Sequence, residues 1–181
     1  MANAPLGNNI WEGVLGVVVI NYDSLDLGKT TADTELVPDQ DIKDIIFQQN
    51  GTKYQDKIPT GIAWMLNCTF GQITTSILEK MLAGLEKSGS GNSLKMTRSL
   101  YFSYRENGKV LIVRRVDSEG FASTDPVYRL KFYLAYPEIT GNIQWGADTQ
   151  RNLAITFHCF YDETEKAFGY SGYATSLGLT P

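Results

Sequence analysis

Strict alternation between apolar and polar residues is the feature that most constrains the fold of this chain. It covers three segments, residues 62–70, 128–136 and 153–161, in which every second position is apolar. Successive side chains of a β-strand point to opposite faces, so this period predicts strands with one buried and one exposed face. Such strands are typical of antiparallel sheets that form a sandwich or barrel. Shorter candidate strands cover residues 14–22, 42–47 and 109–116.

One segment has helical spacing instead. Its apolar stripe consists of Ile73, Ile77, Leu78, Met81, Leu82 and Leu85. Thr74 or Ser76 is a candidate N-cap, and the sequence from Ser76 to Glu79 has the form of a capping box. Lys87 and the glycine- and serine-rich residues 88–93 indicate where the helix ends. We therefore expect a mostly β, antiparallel sandwich or barrel with one flanking α-helix.

The composition fits one globular domain and argues against a nucleic-acid-binding surface. At 181 residues, with 43% hydrophobic and 20% charged residues, the chain is long enough for one sizeable core. Its net charge of −4 and pI near 5.0 provide no basic field that would hold DNA or anionic lipid. We expect a single domain over residues 1–181, with a flexible N-terminal arm at 1–9 and a flexible C-terminal tail at 169–181.

No targeting segment is predicted at the N-terminus. Residues 1–4 carry no basic side chain, and the apolar run 14–20 is too short to span a bilayer. The sequence therefore favours a cytosol-like compartment. A disulfide between Cys68 and Cys159 is possible in principle, because both strands could share one core, but it is not expected in a reducing compartment.

The stretch Gly28-Lys29-Thr30 invites a phosphate-binding interpretation, which the surrounding sequence does not support. A phosphate-binding loop needs a glycine where this chain has Asp23, and Asp26 would add a second negative charge beside the phosphate. The residues that follow form a β-like run that we expect to end at Pro38, whereas the loop must lead into a helix. A β-turn with Gly28 in the left-handed conformation explains the same residues.

Residues for catalysis or metal binding are scarce. His158 is the only histidine, and strand alternation points it to the face opposite Cys159, so that these two residues cannot chelate together. Cys68 and Cys159 fall on apolar faces, where a thiol behaves as a small hydrophobe. We therefore expect no catalytic residue, no metal and no cofactor. A glycosidase-type carboxylate pair stays open, because sequence alone does not place carboxylates across a cleft.

Glycine-containing dipeptides mark the expected turns. Asn107-Gly108, between residues 101–105 and 109–116, is typical of a type I′ β-hairpin. Further turns are expected at Asn50-Gly51, Ser118-Glu119-Gly120 and Gly141-Asn142.

The order of these segments resembles the tail tube (major tail) proteins of tailed bacteriophages over residues 15–170. The resemblance begins with a strand and Leu27-Gly28-Lys29-Thr30-Thr31, followed by the β-prone residues 33–47. It continues through the polar tip Gln49-Asn50-Gly51-Thr52 and the stretch Asp56-Lys57-Ile58-Pro59-Thr60-Gly61 into the long alternating strand. The helix, the last two alternating strands and the closing Asp162, Phe168 and Gly169 complete the series.

The resemblance implies a structural virion protein without an active site. Copies would form hexameric rings that stack into a tube, through which DNA leaves the capsid without specific binding. Assembly would take place in the bacterial cytoplasm, with tail sheath, tape measure and baseplate or terminator proteins as further partners. Relative to the simplest members of the family, this chain carries extra residues at 95–125, which would form a longer loop or an added hairpin. Arg129 and Lys131 should face away from an acidic lumen or pair with carboxylates.

The same resemblance assigns the contact between rings to the hairpin at residues 47–58. Its tip is polar and nearly neutral, which suits a segment that is soluble before assembly and hydrogen-bonded afterwards. The expected contact residues are Gln48, Gln49, Asn50, Gly51, Thr52, Lys53, Tyr54, Gln55 and Asp56. Two other function classes stay open: a binding module of related fold, such as a tail terminator, a distal tail component or a carbohydrate-binding sandwich, and an enzyme. A sugar-binding module would present an exposed aromatic cluster, for which the 12% aromatic content suffices.

Overall fold

Ten strands and one helix lie within the residues that the structure describes. The computed structural model describes residues 17–46, 54–71, 74–82, 85–88, 93–96, 102–125, 129–141 and 152–172. In chain order the elements are β1 (Val18–Tyr22), β2 (Leu25–Lys29), β3 (Glu35–Ile46), β4 (Tyr54–Phe70), α1 (Thr75–Met81), β5 (Leu85–Ser88), β6 (Ser93–Met96), β7 (Lys109–Arg115), β8 (Arg129–Ile139), β9 (Leu153–Phe160) and β10 (Gly169–Ser171).

The main sheet is antiparallel and contains eight strands, which confirms the predicted mostly β class. Hydrogen-bonded neighbours follow the order β2-β1-β7-β8-β9-β4-β3, and β10 pairs with β8. β9 and β10 pair with successive parts of β8, at residues 134–139 and 130–132. Residues 161–168 therefore form a loop outside the sheet, between β9 and β10, which both pair with β8. An Asp162–Ala167 bridge closes this loop.

The sheet curls until its first strand meets its sixth. Thr30, directly after β2, forms an antiparallel bridge with Phe70 at the end of β4. The Thr31 N–H donates to the Thr69 carbonyl at 2.8 Å. Within the described residues this is a single point of contact and not a continuous ladder, so the sheet is strongly curved but its barrel is not closed.

The core lies on the concave side of this sheet. β9 alternates strictly between buried and half-buried residues, as predicted, because it lies between β8 and β4 and has a pleated neighbour on each side. The core cluster includes Val18, Ile20, Leu66, Phe70, Leu111, Val113, Leu130, Phe132, Leu153, Ile155 and Phe157. α1 adds Ile77, Leu78 and Met81 to this cluster, so it covers the core as expected.

The helix is shorter than its sequence predicts. Thr74 is the N-cap, and its hydroxyl accepts the Ile77 N–H at 3.2 Å, so one of the two predicted caps is confirmed and Ser76 lies inside the helix. The predicted end near Leu85 is wrong. Leu85 begins β5, which pairs with β6 in a separate two-stranded sheet, yet its side chain still packs against the core. β5 and β6 share only residues 95 and 96 with the region 95–125, where the sequence predicts a longer loop or an added hairpin.

The alternation of β8 is interrupted in the middle of the strand. Between Lys109–Ala135 and Leu111–Phe132 the register shifts, and β8 has one more residue than β7. This bulge puts Ala135 in the core in place of Leu134. Tyr133, which the sequence period predicts to be exposed, is also buried. Tyr133 is covered by Tyr170 of β10, with ring centroids 6.0 Å apart.

Two turn predictions need correction. Residues 104–107 form a turn, residues 102 and 103 directly before it are not in a strand, and neither Asn107 nor Gly108 has the positive φ of a type I′ hairpin. The two-residue turn with that geometry is Asp23-Ser24, at φ 48° and 63°, between β1 and β2. Gly28 is left-handed as predicted, at φ 83°, but it lies in a bulge of β2 and not in a turn.

Three strand ends also differ from the predictions. Pro38 lies inside β3, which an edge strand tolerates because a proline N–H is not needed on its open side. Ile62 is 46% exposed although the alternation assigns it to the core, and Tyr161 lies outside β9. The first residues of the expected C-terminal tail, Gly169–Ser171, form β10, whereas residues 173–181 and the N-terminal arm at 1–9 lie outside the described residues.

Candidate functional site

A two-stranded ribbon extends from one edge of the sheet. β4 pairs with β9 only from Trp64 to Phe70, and residues 54–63 pair with β3 alone. We call residues 39–46 of β3 with residues 54–63 of β4 the ribbon. At about 3.3 Å per residue its longer strand extends roughly 30 Å beyond the last contact with β9. An isolated two-stranded hairpin is marginally stable in water, so a ribbon of this length favours a further contact surface.

The ribbon exposes isoleucines on both of its faces. Ile42 lies opposite Pro59, and Ile62 lies two pairs closer to the sheet on the same face, which continues the core side of β4. Their exposed fractions are 55% and 46%. Ile58 is 45% exposed and pairs with Lys43 on the other face. Clustered exposed hydrophobic residues are typical of surfaces that contact another molecule.

Charged and conformationally restricted residues protect the open edge of β3. In the described sheet β3 has β4 as its single partner, and its open edge could pair with any exposed strand. Pro38 removes one N–H from this strand, and Asp39, Asp41, Lys43 and Asp44 are exposed along it. Such residues restrict uncontrolled edge pairing while leaving the strand available to a matched partner.

Three of the predicted ring contact residues lie on this ribbon. Residues 48–53 lie outside the described residues. Tyr54, Gln55 and Asp56 begin β4, so the structure places them on the ribbon. Asp56 is exposed, and its carboxylate accepts the Lys57 N–H at 2.8 Å. The sequence did not predict the length of the ribbon, because residues 54–61 lack alternation, although the β-prone residues 33–47 beside them were a signal.

A second feature is an aromatic cluster on the convex face of the sheet. The Tyr104 ring stacks on Tyr136, with centroids 4.6 Å apart and planes inclined by 18°, and Phe102 lies 5.2 Å from Tyr136. His158 lies beside Tyr104, at 6.1 Å between ring centroids. The His158 Nε2 is 2.7 Å from a carboxylate oxygen of Glu138. Tyr104 is 38% exposed, so this cluster presents part of an aromatic surface to solvent.

His158 and the cysteines lie where strand alternation predicts. His158 is half-buried on the convex face, and Cys159 is 3% exposed in the core. Cys68 is 4% exposed, and both thiols are free. Trp64 is the residue opposite Cys159, whereas Cys68 lies opposite Ile155, so the two thiols are separated along the β4–β9 ladder. Burial raises the pKa of each thiol, which makes both poor nucleophiles.

Across the described residues, no group of three or more histidine, cysteine, aspartate and glutamate side chains is arranged to hold a metal ion. Among these residues no helix is both long and apolar enough to cross a bilayer. Comparison with family models finds no match for the sequence, and a search of characterised proteins finds no significant relative.

Proposed function

We propose that the protein is a structural subunit that assembles with copies of itself into a tube, as in the tails of bacteriophages. The ribbon is the observation that carries the proposal. It holds eight residues of β3 and ten of β4 away from the rest of the sheet, and it exposes Ile42 and Ile62 to solvent on its core-side face. A second copy packed on the ribbon would remove this apolar surface from water.

The two edge strands of the sheet also support self-assembly. The strand order begins at β2 and ends at β3, so each copy carries two different edges. Pairing of one edge with the other edge of the next copy is a head-to-tail contact. Contacts of this type generate a ring when the rotation closes. Ring formation by the sheet edges and stacking by the ribbon tip together would produce a tube.

Electron microscopy of the purified protein in negative stain tests the proposal, with light scattering to measure mass over a range of concentrations. We expect rings or tubes at high concentration. Deletion of Gln49–Lys53 should leave a folded protein with normal circular dichroism that forms rings but does not stack. A strict monomer at every concentration would contradict self-assembly, and tubes formed by the deletion variant would contradict the role of the tip.

The convex aromatic cluster favours carbohydrate binding as a second candidate function. Sugar rings stack on exposed aromatic faces, and Tyr104 offers such a surface next to the polar His158–Glu138 pair. A thermal-shift screen with soluble oligosaccharides tests this candidate, with Tyr104→Ala as the variant. A stabilisation that disappears in Tyr104→Ala would favour the binding module, and the same monomer–polymer measurement would then separate it from the tube subunit.

A further inference from the structure

The convex face of β7, β8 and β10 collects buried polar groups that have no partner. In the described part of the chain, the buried side-chain atoms without a hydrogen bond are the Nε atoms of Arg114 and Arg129 and the hydroxyl of Tyr170. Arg114 and Arg129 are direct partners in the β7–β8 ladder, and Tyr170 lies on β10 opposite Lys131. A buried donor without a partner destabilises the folded state, and a charged donor does so more strongly.

The two arginines also repel each other. Directly paired residues on neighbouring strands have Cβ atoms about 4.5–5.5 Å apart, and like charges in such a pair destabilise the sheet. Asn21 accepts a hydrogen bond from the Arg114 Nη2 at 2.7 Å, which orients this guanidinium without neutralising it. Within the described residues neither arginine forms an ion pair with a carboxylate. The face therefore contains two adjacent cations that no ion pair among the described residues neutralises.

Both arginines line a half-open cavity of about 440 Å³. The loop after β7 contributes Ser123 and Thr124 to its wall, and Asn21 contributes an amide. Hydroxyl and amide groups can donate hydrogen bonds to an anion. Asp125 also lines the cavity, as one carboxylate against two guanidinium groups. The cavity is large enough for a small anion, and its wall has a net positive charge.

We propose that this cavity binds a small oxyanion of the phosphate class between Arg114 and Arg129. Planar guanidinium groups match the oxygen spacing of phosphate and can donate two parallel hydrogen bonds each. A bound phosphate would supply acceptors for these donors and would offset the repulsion between the two arginines. A small anion fits better than DNA, because the chain carries a net charge of −4 and Asp125 lies on the cavity wall. This site is independent of the proposed tube function.

Isothermal titration calorimetry of the full chain with inorganic phosphate tests the proposal, at an ionic strength held constant with sodium chloride. Wild-type protein should bind one phosphate per chain. Arg129→Gln should weaken binding about tenfold or more, as expected for the loss of charge-assisted hydrogen bonds. Arg129→Lys keeps the charge without the planar fork and should lose less affinity than Arg129→Gln. Arg105→Gln, at the far end of β7 and ion-paired with Glu163, removes one positive charge outside the cavity and should bind as wild type.

Thermal unfolding, measured without and with phosphate, separates a phosphate-binding arginine from one that only stabilises the fold. Arg129→Gln should unfold at the wild-type temperature or above it, because it removes a like-charge contact, and it should lose the stabilisation that phosphate gives to wild type. If Arg129→Gln does not fold, the phosphate affinity of Arg129→Lys, compared with that of wild type, tests the proposal. Equal phosphate binding by wild type, Arg129→Lys and Arg105→Gln would overturn the proposal. So would the absence of phosphate binding to wild type, or binding of a DNA oligonucleotide in place of phosphate.

Discussion

Trp64 of β4 lies opposite Cys159 of β9, and this is the last pair that joins β4 to the body of the sheet. Cys159 is buried in the core, whereas Trp64 is half-buried at the point where the ribbon begins. The core therefore ends at this pair, but the apolar surface continues beyond it. Ile62 and Ile42 continue the same face into solvent.

Replacing both Ile42 and Ile62 by threonine tests whether this face is an assembly contact. Threonine keeps the β-branched shape that strands favour, and both positions are exposed, so the free energy of unfolding should change by no more than about 0.5 kcal/mol per site. Assembly should be lost or shifted to much higher concentration in light scattering. Ile58→Thr is the matched control, because Ile58 has a similar exposure on the opposite face. Normal assembly of the double variant would show that the core-side face of the ribbon is not a contact.

The contact between β2 and β4 in the curved sheet depends on Thr30. This residue is 3% exposed, its hydroxyl accepts the Val18 N–H at 3.2 Å, and its backbone bridges to Phe70. Thr30→Val keeps the shape but leaves the Val18 N–H without its partner, so it should lower the free energy of unfolding by about 1–3 kcal/mol. Urea denaturation measures this change. Thr31→Val is the control, since the Thr69 carbonyl that its exposed hydroxyl contacts keeps the Thr31 N–H as a donor and can also accept from water. An equal loss of stability in Thr31→Val would contradict the argument.

Alternation predicted the strands that have neighbours on both sides, and it failed where a strand departs from regular pairing. β9 follows its period throughout because β8 and β4 fix its pleat. β8 does not, because the bulge at Tyr133 depends on how many residues β7 places opposite it. No pattern within β8 itself could reveal a feature that its partner determines.

The predicted end of the helix and the predicted hairpin at Asn107-Gly108 were wrong for related reasons. Leu85 extends the helical stripe, yet it faces the core from a strand, and the spacing of apolar residues cannot separate these two cases. Asn107-Gly108 is a strong local hairpin signal. The preceding Phe102 and Tyr104 pack on Tyr136 instead of pairing with β7, so tertiary contacts override the local preference. The aromatic cluster was not predicted for the same reason, because strand topology alone brings its members together.

Close packing of β10 on β8 requires a glycine at position 169. A Cβ atom there would lie 2.0 Å from the Lys131 carbonyl oxygen and 2.9 Å from the Phe132 Cα, and both belong to the backbone of β8. Gly169→Ala should therefore detach β10, with a loss of about 1–3 kcal/mol in the free energy of unfolding. Faster amide hydrogen exchange in residues 169–172 would locate the effect.

Gly172→Ala is the control for that variant. Position 172 has open space around a Cβ, so its φ of +84° is the only source of strain, which costs about 1–2 kcal/mol. β10 should stay paired with β8 in this variant, so amide hydrogen exchange in β10 should remain slow. Slow exchange in Gly169→Ala would show that β8 moves to accommodate the methyl group, against the prediction.

The two buried thiols should make the protein less stable in alkaline solution. Burial raises the pKa of Cys68 and of Cys159 above the ordinary 9.0, whereas both thiols ionise freely in the unfolded chain. Above that ordinary pKa the unfolded state has lost protons that the folded state retains, so the free energy of unfolding falls as the pH rises. Each thiol should add a slope of about 1.4 kcal/mol per pH unit, while between pH 7 and 8 their effect should be small.

Urea denaturation at pH 7.5, 9.0 and 10.0 measures this slope. Tyr22, whose pKa is also raised by burial, adds to the loss only near and above pH 10. Replacing both cysteines by alanine lowers stability at every pH, because it removes core atoms, so the informative quantity is the slope and not the absolute value. The slope between pH 9.0 and 10.0 should be shallower in the double variant. An unchanged slope would mean that the thiols ionise as readily in the folded protein as in the unfolded chain, which would contradict their burial beside Trp64 and Ile155.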